Sequence, residues 1–196
     1  MRPDVPALEK ASAVLAGGAR VLQLRLKRAG VRDAVAVGRA VAERCRGLGA
    51  KLLVDDRVDV ALACGADGVH LGDDDLAPED ARAVLGPSKI IGVTVRGLGG
   101  VLAARAAGAD YAGIGPVFPT ATKRVDAPPL GLERLAEIAR QSPLPLVAIS
   151  GIALCNIADV ARAGVHAAAV VSDLLCAPDI AERARRLSAA FLGASR

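Results

Sequence analysis

The sequence predicts an α/β protein with the (β/α)8 architecture of a TIM-type barrel, in which the first β-strand is not recognisable. Three observations favour this fold class. Apolar runs rich in Val, Ile and Leu recur along the chain, Ala-rich segments with helical spacing separate them, and polar residues follow most of the runs. Continuous apolar runs are typical of strands buried on both faces of a parallel sheet. The seven runs are Val21–Leu26, Lys51–Val54, Gly68–Leu71, Ile90–Val95, Tyr111–Phe118, Leu144–Ile149 and Ala167–Val171.

Each predicted helix has a recognisable start or end. The first begins near Pro6 or Ala7, and Pro78 and Pro178 mark the starts of two later helices. Five times a glycine followed by Ala or Val stands between a helical segment and the next strand, where glycine adopts the left-handed conformation that ends a helix. These glycines are Gly18, Gly49, Gly65, Gly108 and Gly164. The pattern is a βα unit repeated in one parallel sheet.

A closed barrel and an open doubly wound sheet both fit this pattern. No GxGxxG motif follows the first strand, and polar residues gather at the ends of nearly every strand rather than at one switch point, which favours the barrel. Only seven strands are found, because the pentapeptide before the first helix contains a proline and is a poor central strand. Either the barrel lacks its first strand, or the start of the chain has been lost.

Composition excludes several classes of protein. The 196 residues fit a single domain, 1–196, and a hydrophobic content of 53% with a net charge of +4 excludes a disordered chain. No stretch predicts a membrane span or a signal peptide, and the four cysteines form no CxxC pair, so we expect a cytoplasmic protein with free thiols. Scattered basic residues and an aromatic content of 2% favour a small anionic ligand over nucleic acid.

Gln23, Arg25 and Lys27 alternate along the first predicted strand and therefore share one face. On an edge strand such a row would simply be solvated. The apolar residues Val21, Leu22, Leu24 and Leu26 precede this row or alternate with it, which favours a buried strand and an anion-binding row inside a barrel mouth.

Carboxylates follow the next two predicted strands. Asp55 and Asp56 follow the second strand, and an acidic triplet that ends in Asp75 follows the third. Alone, the triplet is typical of an exposed turn or a helix start. Mg2+ is usually bound by one or two carboxylates together with phosphate oxygens, and carboxylates from adjacent strand ends can supply such ligands. An exposed turn and a metal site therefore both remain open for the acidic triplet.

Two later regions have features of phosphate sites. Segment 115–123 is a loop that two prolines stiffen and that carries two hydroxyls and a lysine, although surface loops often look like this. Gly151 and Ser172 follow the last two strands, where many (β/α)8 enzymes bind phosphate through loop amides and a helix N-terminus. The sequence is therefore compatible with two anion sites, one metal-assisted and one built from backbone amides.

From Ala7 to Leu192 the sequence resembles the thiamine phosphate synthases, (β/α)8 enzymes that join a pyrimidine diphosphate to a thiazole phosphate. No single motif is decisive, but their order and their coverage of the chain make the match specific. The motifs are Gln23-Leu-Arg25-Leu-Lys27, Asp56-Arg57-Val58-Asp59, Gly68-Val-His70-Leu-Gly72, Asp75-Leu76, Gly115-Pro-Val-Phe-Pro-Thr120-Ala-Thr122-Lys123, Pro129-Leu-Gly131-Leu and Val171-Ser172.

The resemblance implies three sets of site residues. The pyrimidine diphosphate would be held by Gln23, Arg25 and Lys27, with Asp55, Thr94 and Lys123 close to it, and the catalytic cations would be Arg25, Lys27 and Lys123. The Mg2+ ligands would be Asp56 and Asp75. The thiazole phosphate would be held by Thr120, Thr122, Gly151, Val171 and Ser172.

The implied reaction is a dissociative displacement: pyrophosphate leaves, the pyrimidine methylene becomes cationic, and the thiazole nitrogen attacks it. Two alternatives remain open: a related thiazole tautomerase, which would need no metal carboxylates, and a catalytically weak ligand-binding barrel. A homo-oligomer that covers an exposed sheet edge is also an open question.

The sequence departs from the family pattern at several positions. Asp55 replaces the usual Asn and places an extra negative charge beside the diphosphate. Asp73 replaces a Gln, and Leu26 replaces a Glu. Thr94 and Arg96 replace a Ser and a His, and we expect Arg96 to offset the charge of Asp55.

Overall fold

The computed structural model describes residues 6–120 and 128–195. Seven parallel strands form one sheet in the order β1-β2-β3-β4-β5-β6-β7. The strands are β1 (Val21–Leu24), β2 (Lys51–Asp55), β3 (Gly68–Leu71), β4 (Ile90–Val95), β5 (Tyr111–Ile114), β6 (Leu146–Ala148) and β7 (Ala167–Ala168). The helices are α1 (Ala7–Ala16), α2 (Val31–Gly47), α3 (Val58–Cys64), α4 (Pro78–Leu85), α5 (Leu98–Ala106), α6 (Gly131–Gln141), α7 (Ile157–Arg162), α8 (Ser172–Leu175) and α9 (Ile180–Ala194).

Strands and helices alternate along the chain, which confirms the predicted TIM-like (β/α) fold. Every neighbouring pair of strands is parallel and follows the chain order, so all the carboxyl ends lie along one edge of the sheet. In the part of the chain that the structure describes, β1 and β7 are the two ends of the sheet and do not pair with each other. The expectation of a buried first strand is therefore wrong: β1 is an edge strand whose residues alternate between exposed and half-buried.

The predicted helix ends are confirmed. The five junction glycines have positive φ angles: Gly18 (94°), Gly49 (65°), Gly65 (71°), Gly108 (84°) and Gly164 (87°). Pro78 is the first residue of α4. Pro178 lies just before α9, whose first turn is capped by the Asp179 carboxylate, which accepts a hydrogen bond from the Glu182 N–H at 2.9 Å.

Two buried clusters of apolar side chains support the sheet. One lies beneath β2, β3 and the first half of β4, and the other extends from the end of β4 to β6 and the later helices. Leu22 and Val93 pack against both clusters. On the outside of the sheet, the end of α1 packs closely on α9. Gly17 permits this contact, because a Cβ at that position would overlap the side chain of Ala184. None of the described helices has the length and apolar composition needed to cross a membrane.

Candidate active site

Polar side chains from β1, β2 and β3 meet at the carboxyl edge of the sheet. We call this group the charged cluster; it consists of Gln23, Arg25, Lys27, Asp55, Asp56 and Asp75. Strand pairing brings these residues together, because β2 lies between β1 and β3 and the residues occupy or follow the last positions of the three strands. The structure thus assembles in one place the residues that the sequence assigns to the diphosphate and to Mg2+, apart from Thr94 and Lys123.

Asp55 is the anchor of the β1 side chains. Its Oδ1 accepts a hydrogen bond from Gln23 Nε2 at 2.9 Å, and its Oδ2 forms an ion pair with Arg25 Nη1. The Asp55 side chain is 7% exposed, whereas Arg25 is 43% exposed. Burial raises the pKa of Asp55, and the hydrogen bond and charge of Arg25 oppose that rise. The carboxylate therefore holds Arg25 in place while the guanidinium stays open to solvent.

Asp56 turns the chain at the end of β2. It has a φ of 66°, a left-handed conformation that is uncommon outside glycine and that Asp and Asn adopt more readily than most residues. Its N–H donates to the carbonyl of His70 at 2.9 Å, which fixes the turn against β3. Its Oδ2 lies 2.9 Å from Lys27 Nζ and 3.6 Å from Arg25 Nη1. The turn thus directs this carboxylate toward two cations of the cluster.

Asp56 and Asp75 are close enough to influence each other's titration. Burial would raise the pKa of Asp56, but bonds from Lys27 and Asp75 and the nearby positive charges hold it below its ordinary value. Burial and the neighbouring Asp56 raise the pKa of Asp75, whose Oδ2 accepts the Gly72 N–H at 2.6 Å. Two neighbouring carboxylates repel each other when both are ionised, and a divalent cation that takes one or two carboxylates relieves that repulsion. The pair therefore suits Mg2+.

Arg96 does not perform the role expected from the sequence. Its Nη2 lies 2.7 Å from Asp73 Oδ2, so it offsets the charge of that residue, which is on the neighbouring strand end. The charge of Asp55 is instead offset by Arg25. The expectation for Arg96 is wrong because Asp55 faces β1, while Arg96 lies beyond β3.

Thr94, on β4, is hydrogen-bonded to His70, and His70 to Tyr111. The resemblance assigns Thr94 to the diphosphate, but the sequence did not predict these two partners. Thr94 Oγ1 is 2.9 Å from Nε2 of the buried His70, and His70 Nδ1 is 2.7 Å from the hydroxyl of Tyr111. His70 belongs to the family motif Gly68-Val-His70-Leu-Gly72, but the resemblance assigns it no function. The isolated Gly92 within an apolar strand was the available signal, because such glycines mark a close approach of neighbouring groups.

The second region lies where β6 ends. Ser150 and Gly151 both have positive φ angles, 74° and 70°. A Cβ at Gly151 would lie 2.6 Å from both Phe118 Cβ and the Pro119 carbonyl oxygen. The loop after β5 therefore packs directly on Gly151, which brings the segment that ends in Thr120 next to this turn.

Asp173 joins the turn after β6 to the chain after β7. It accepts hydrogen bonds from the Leu154 N–H at 3.1 Å and from Arg183 at 2.6 Å. Val171 and Ser172 begin the short helix α8 immediately before it and are exposed. The loop that ends in Thr120 thus contacts the turn at Gly151, and that turn is hydrogen-bonded to the start of α8, next to Val171 and Ser172. Thr122 and Lys123 lie outside the described residues.

Comparisons with known proteins show the family of the chain. A family model described as thiamine monophosphate synthase matches residues 3–174. The thiamine-phosphate synthase of Myxococcus xanthus is 59% identical over 189 residues, which cover 96% of this chain and 87% of that protein. The thiamine-phosphate synthase of a Roseiflexus species is 48% identical over 183 residues, which cover 93% and 78%.

Solved structures give the same result. The thiamine phosphate pyrophosphorylase from Pyrococcus furiosus superposes with a TM-score of 0.92 at 39% identity, over 99% of this chain and 93% of that one. A 3-hexulose-6-phosphate synthase superposes with a TM-score of 0.70 at 20% identity, over 94% and 92%, and shares the fold alone. Sequence and structure together place the chain in the thiamine monophosphate synthase family.

Proposed function

We propose that the chain catalyses the Mg2+-dependent condensation of 4-amino-2-methyl-5-hydroxymethylpyrimidine diphosphate with hydroxyethylthiazole phosphate, giving thiamine phosphate and pyrophosphate. The observation that carries the proposal is the charged cluster, in which two cations face a carboxylate pair at the carboxyl edge of the sheet. Membership of the family agrees with it.

In this proposal the diphosphate lies on the exposed side of the cluster. Arg25 and Lys27 donate hydrogen bonds to it, and Gln23 and Thr94 supply neutral donors. Asp56 and Asp75 hold Mg2+, which neutralises charge on the diphosphate when bound. Negative charge on the departing pyrophosphate grows in the transition state, so donors that are already in place stabilise it more than the ground state. Lys123 is proposed as a further cation.

The thiazole phosphate is assigned to the loops around Gly151 and Ser172, with Thr120 and Thr122 as hydroxyl donors. Holding the phosphate there fixes the thiazole nitrogen in line with the pyrimidine methylene. The C–O bond to the diphosphate breaks with its electron pair on oxygen, and the nitrogen lone pair forms the new C–N bond. The nitrogen carries no proton, so no general base is required.

Pyrophosphate release by the purified chain tests the proposal. Release should require both substrates and Mg2+, and a chelator should abolish it. Isomerisation of the thiazole without the pyrimidine would support a tautomerase instead, and binding of both substrates without turnover would support a ligand-binding barrel. The cytoplasmic location, the lack of nucleic-acid binding and a homo-oligomer stay predictions from the sequence.

A further inference from the structure

Three side chains form a hydrogen-bonded row behind the charged cluster. Tyr111 on β5, His70 on β3 and Thr94 on β4 are joined by contacts of 2.7 Å, from the Tyr111 hydroxyl to His70 Nδ1, and 2.9 Å, from His70 Nε2 to Thr94 Oγ1. His70 is buried and Thr94 is half-buried. By strand register Tyr111 and His70 both lie level with Gly92, and Thr94 lies two residues further along β4, so the row runs toward the carboxyl edge where the cluster lies.

Two strand glycines leave the space that these rings occupy. A Cβ at Gly92 would overlap the Tyr111 ring, and a Cβ at Gly113 would lie 2.9 Å from His70 Cε1. Glycine in a strand costs stability because it loses more backbone freedom on folding than other residues. Glycine at two positions on neighbouring strands fits a chain in which the placement of both rings matters more than that cost.

The protons in the row have two possible orders. A neutral imidazole has one donor and one acceptor nitrogen. If Tyr111 donates to Nδ1, then Nε2–H donates to Thr94 Oγ1, and the Thr94 proton stays available for a ligand. In the reverse order Thr94 gives its proton to Nε2 and presents only lone pairs, which repel an anion. Among the described residues, His70 Nδ1 is the hydrogen-bond partner of the Tyr111 hydroxyl, so the first order is the one that gives the Tyr111 proton an acceptor.

We infer that His70 is a positioning residue that holds the Thr94 hydroxyl as a hydrogen-bond donor for the diphosphate, with Tyr111 fixing the His70 tautomer. His70 acts through Thr94 and does not touch the substrate. The inference rests on the proposed function, because that function supplies the anion that Thr94 binds.

The tautomer of His70 is measured directly by nitrogen-15 NMR of the imidazole rings. The chain has two histidines, so a His166→Gln variant leaves the His70 signals alone in the spectrum. In spectra recorded at alkaline pH we expect the ring proton of His70 on Nε2. A proton on Nδ1, or on both nitrogens, would overturn the inference, and this result does not depend on turnover.

A double-mutant cycle tests whether the row acts through Thr94. Binding of inorganic pyrophosphate in the presence of Mg2+ is measured by calorimetry. Thr94→Val should weaken it about tenfold, as expected for one hydrogen bond to a charged group. Tyr111→Phe should weaken it about threefold, and should have no effect when Thr94 is already Val. Losses that multiply would overturn the inference, whereas no binding by the unaltered chain would overturn the proposed function.

Matched substitutions of the two histidines provide the control. In His70→Gln the side-chain amide keeps an N–H donor for Thr94, so pyrophosphate binding should stay within about threefold, while His70→Leu should lose about tenfold. His166→Gln makes the same chemical change at an exposed position at the opposite edge of the sheet and should leave binding unchanged. Equal losses in His70→Gln and His70→Leu would show that His70 is needed only for packing.

Discussion

Asp55 holds two of the side chains that the proposed function assigns to the diphosphate, Gln23 and Arg25. Because its oxygens accept from Gln23 and Arg25, it competes with the substrate for the Arg25 charge. Asp55→Asn removes a like charge next to the diphosphate, so we expect affinity for pyrophosphate with Mg2+ to rise about tenfold by calorimetry. Unchanged or weaker affinity would mean that positioning of Arg25 by the charged carboxylate outweighs the repulsion.

We expect the Lys27 side chain to contribute to the rate of the reaction and little to the stability of the fold. Its Nζ lies 2.9 Å from Asp56 Oδ2 at the carboxyl edge. Lys27→Ala removes a donor that stabilises developing charge, and Asp56→Ala removes a proposed Mg2+ ligand. Each should lower turnover by about a hundredfold or more without unfolding the chain. Steady-state pyrophosphate release, with circular dichroism for folding, provides the measurement.

The chain offers a matched control for Lys27. Lys51 forms a similar pair, with its Nζ 2.8 Å from Asp67 Oδ1, but at the amino end of β2. Lys51→Ala should therefore keep turnover within about twofold, as is usual for surface changes away from a site. Near-normal turnover in Lys27→Ala would remove that residue from the proposed site.

At the scale of elements, the turn after β6 positions the loop after β5. Gly151 has a φ of 70° and touches Phe118 and the Pro119 carbonyl, so Gly151→Ala must displace that loop. We expect the KM for the thiazole phosphate to rise about tenfold, because small displacements of bound groups are costly. Pyrophosphate binding at the charged cluster should stay unchanged.

Gly49→Ala is a control that distinguishes the two effects of Gly151→Ala, displacement of the neighbouring loop and strain in the backbone. Gly49 has a φ of 65°, close to that of Gly151, but no atom lies within 4 Å of a Cβ built there. This variant should lose some stability and keep its KM for the thiazole phosphate. An equal rise of KM in both variants would contradict the assignment of the thiazole phosphate to this turn.

The elements themselves were largely predictable, because glycines with positive φ end the helices and β3 and β4 have the predicted bounds. Strand ends were less predictable. The run Tyr111–Phe118 forms a strand only to Ile114, because Pro116 has no N–H for the ladder and the Val117 N–H donates to the carbonyl of Ile149 at 3.0 Å. The apolar sequence therefore continues for several residues after the hydrogen-bonded pairing of β5 with its neighbours has ended.

Partners across the sheet were not predictable from the sequence. The row of Gln23, Arg25 and Lys27 follows from alternation along one strand, but its pairing with Asp55 depends on the register between β1 and β2. A shift of one residue would turn each of these side chains to the other face. The same dependence hid the contact of His70 with Tyr111, which are 41 positions apart.

In the whole molecule the two proposed substrate sites belong to different halves of the sheet. The charged cluster lies on the half supported by the first buried cluster, and the turn at Gly151 lies on the half supported by the second. Leu22 and Val93 pack against both clusters, so the halves share side chains as well as the sheet. We expect them to unfold together in one transition, and ligand binding at either site to stabilise the entire chain.

Thermal unfolding with Mg2+ and pyrophosphate tests this coupling. A ligand that binds only the folded chain at about 100 times its Kd adds about 2.7 kcal/mol, which for about 200 residues corresponds to about 5–10 °C in Tm. We expect a single transition that shifts by this amount with both ligands, and much less with either alone, because the metal and the diphosphate neutralise each other. Asp56→Asn should abolish the shift. Two separate transitions, or an undiminished shift in Asp56→Asn, would contradict the proposed arrangement.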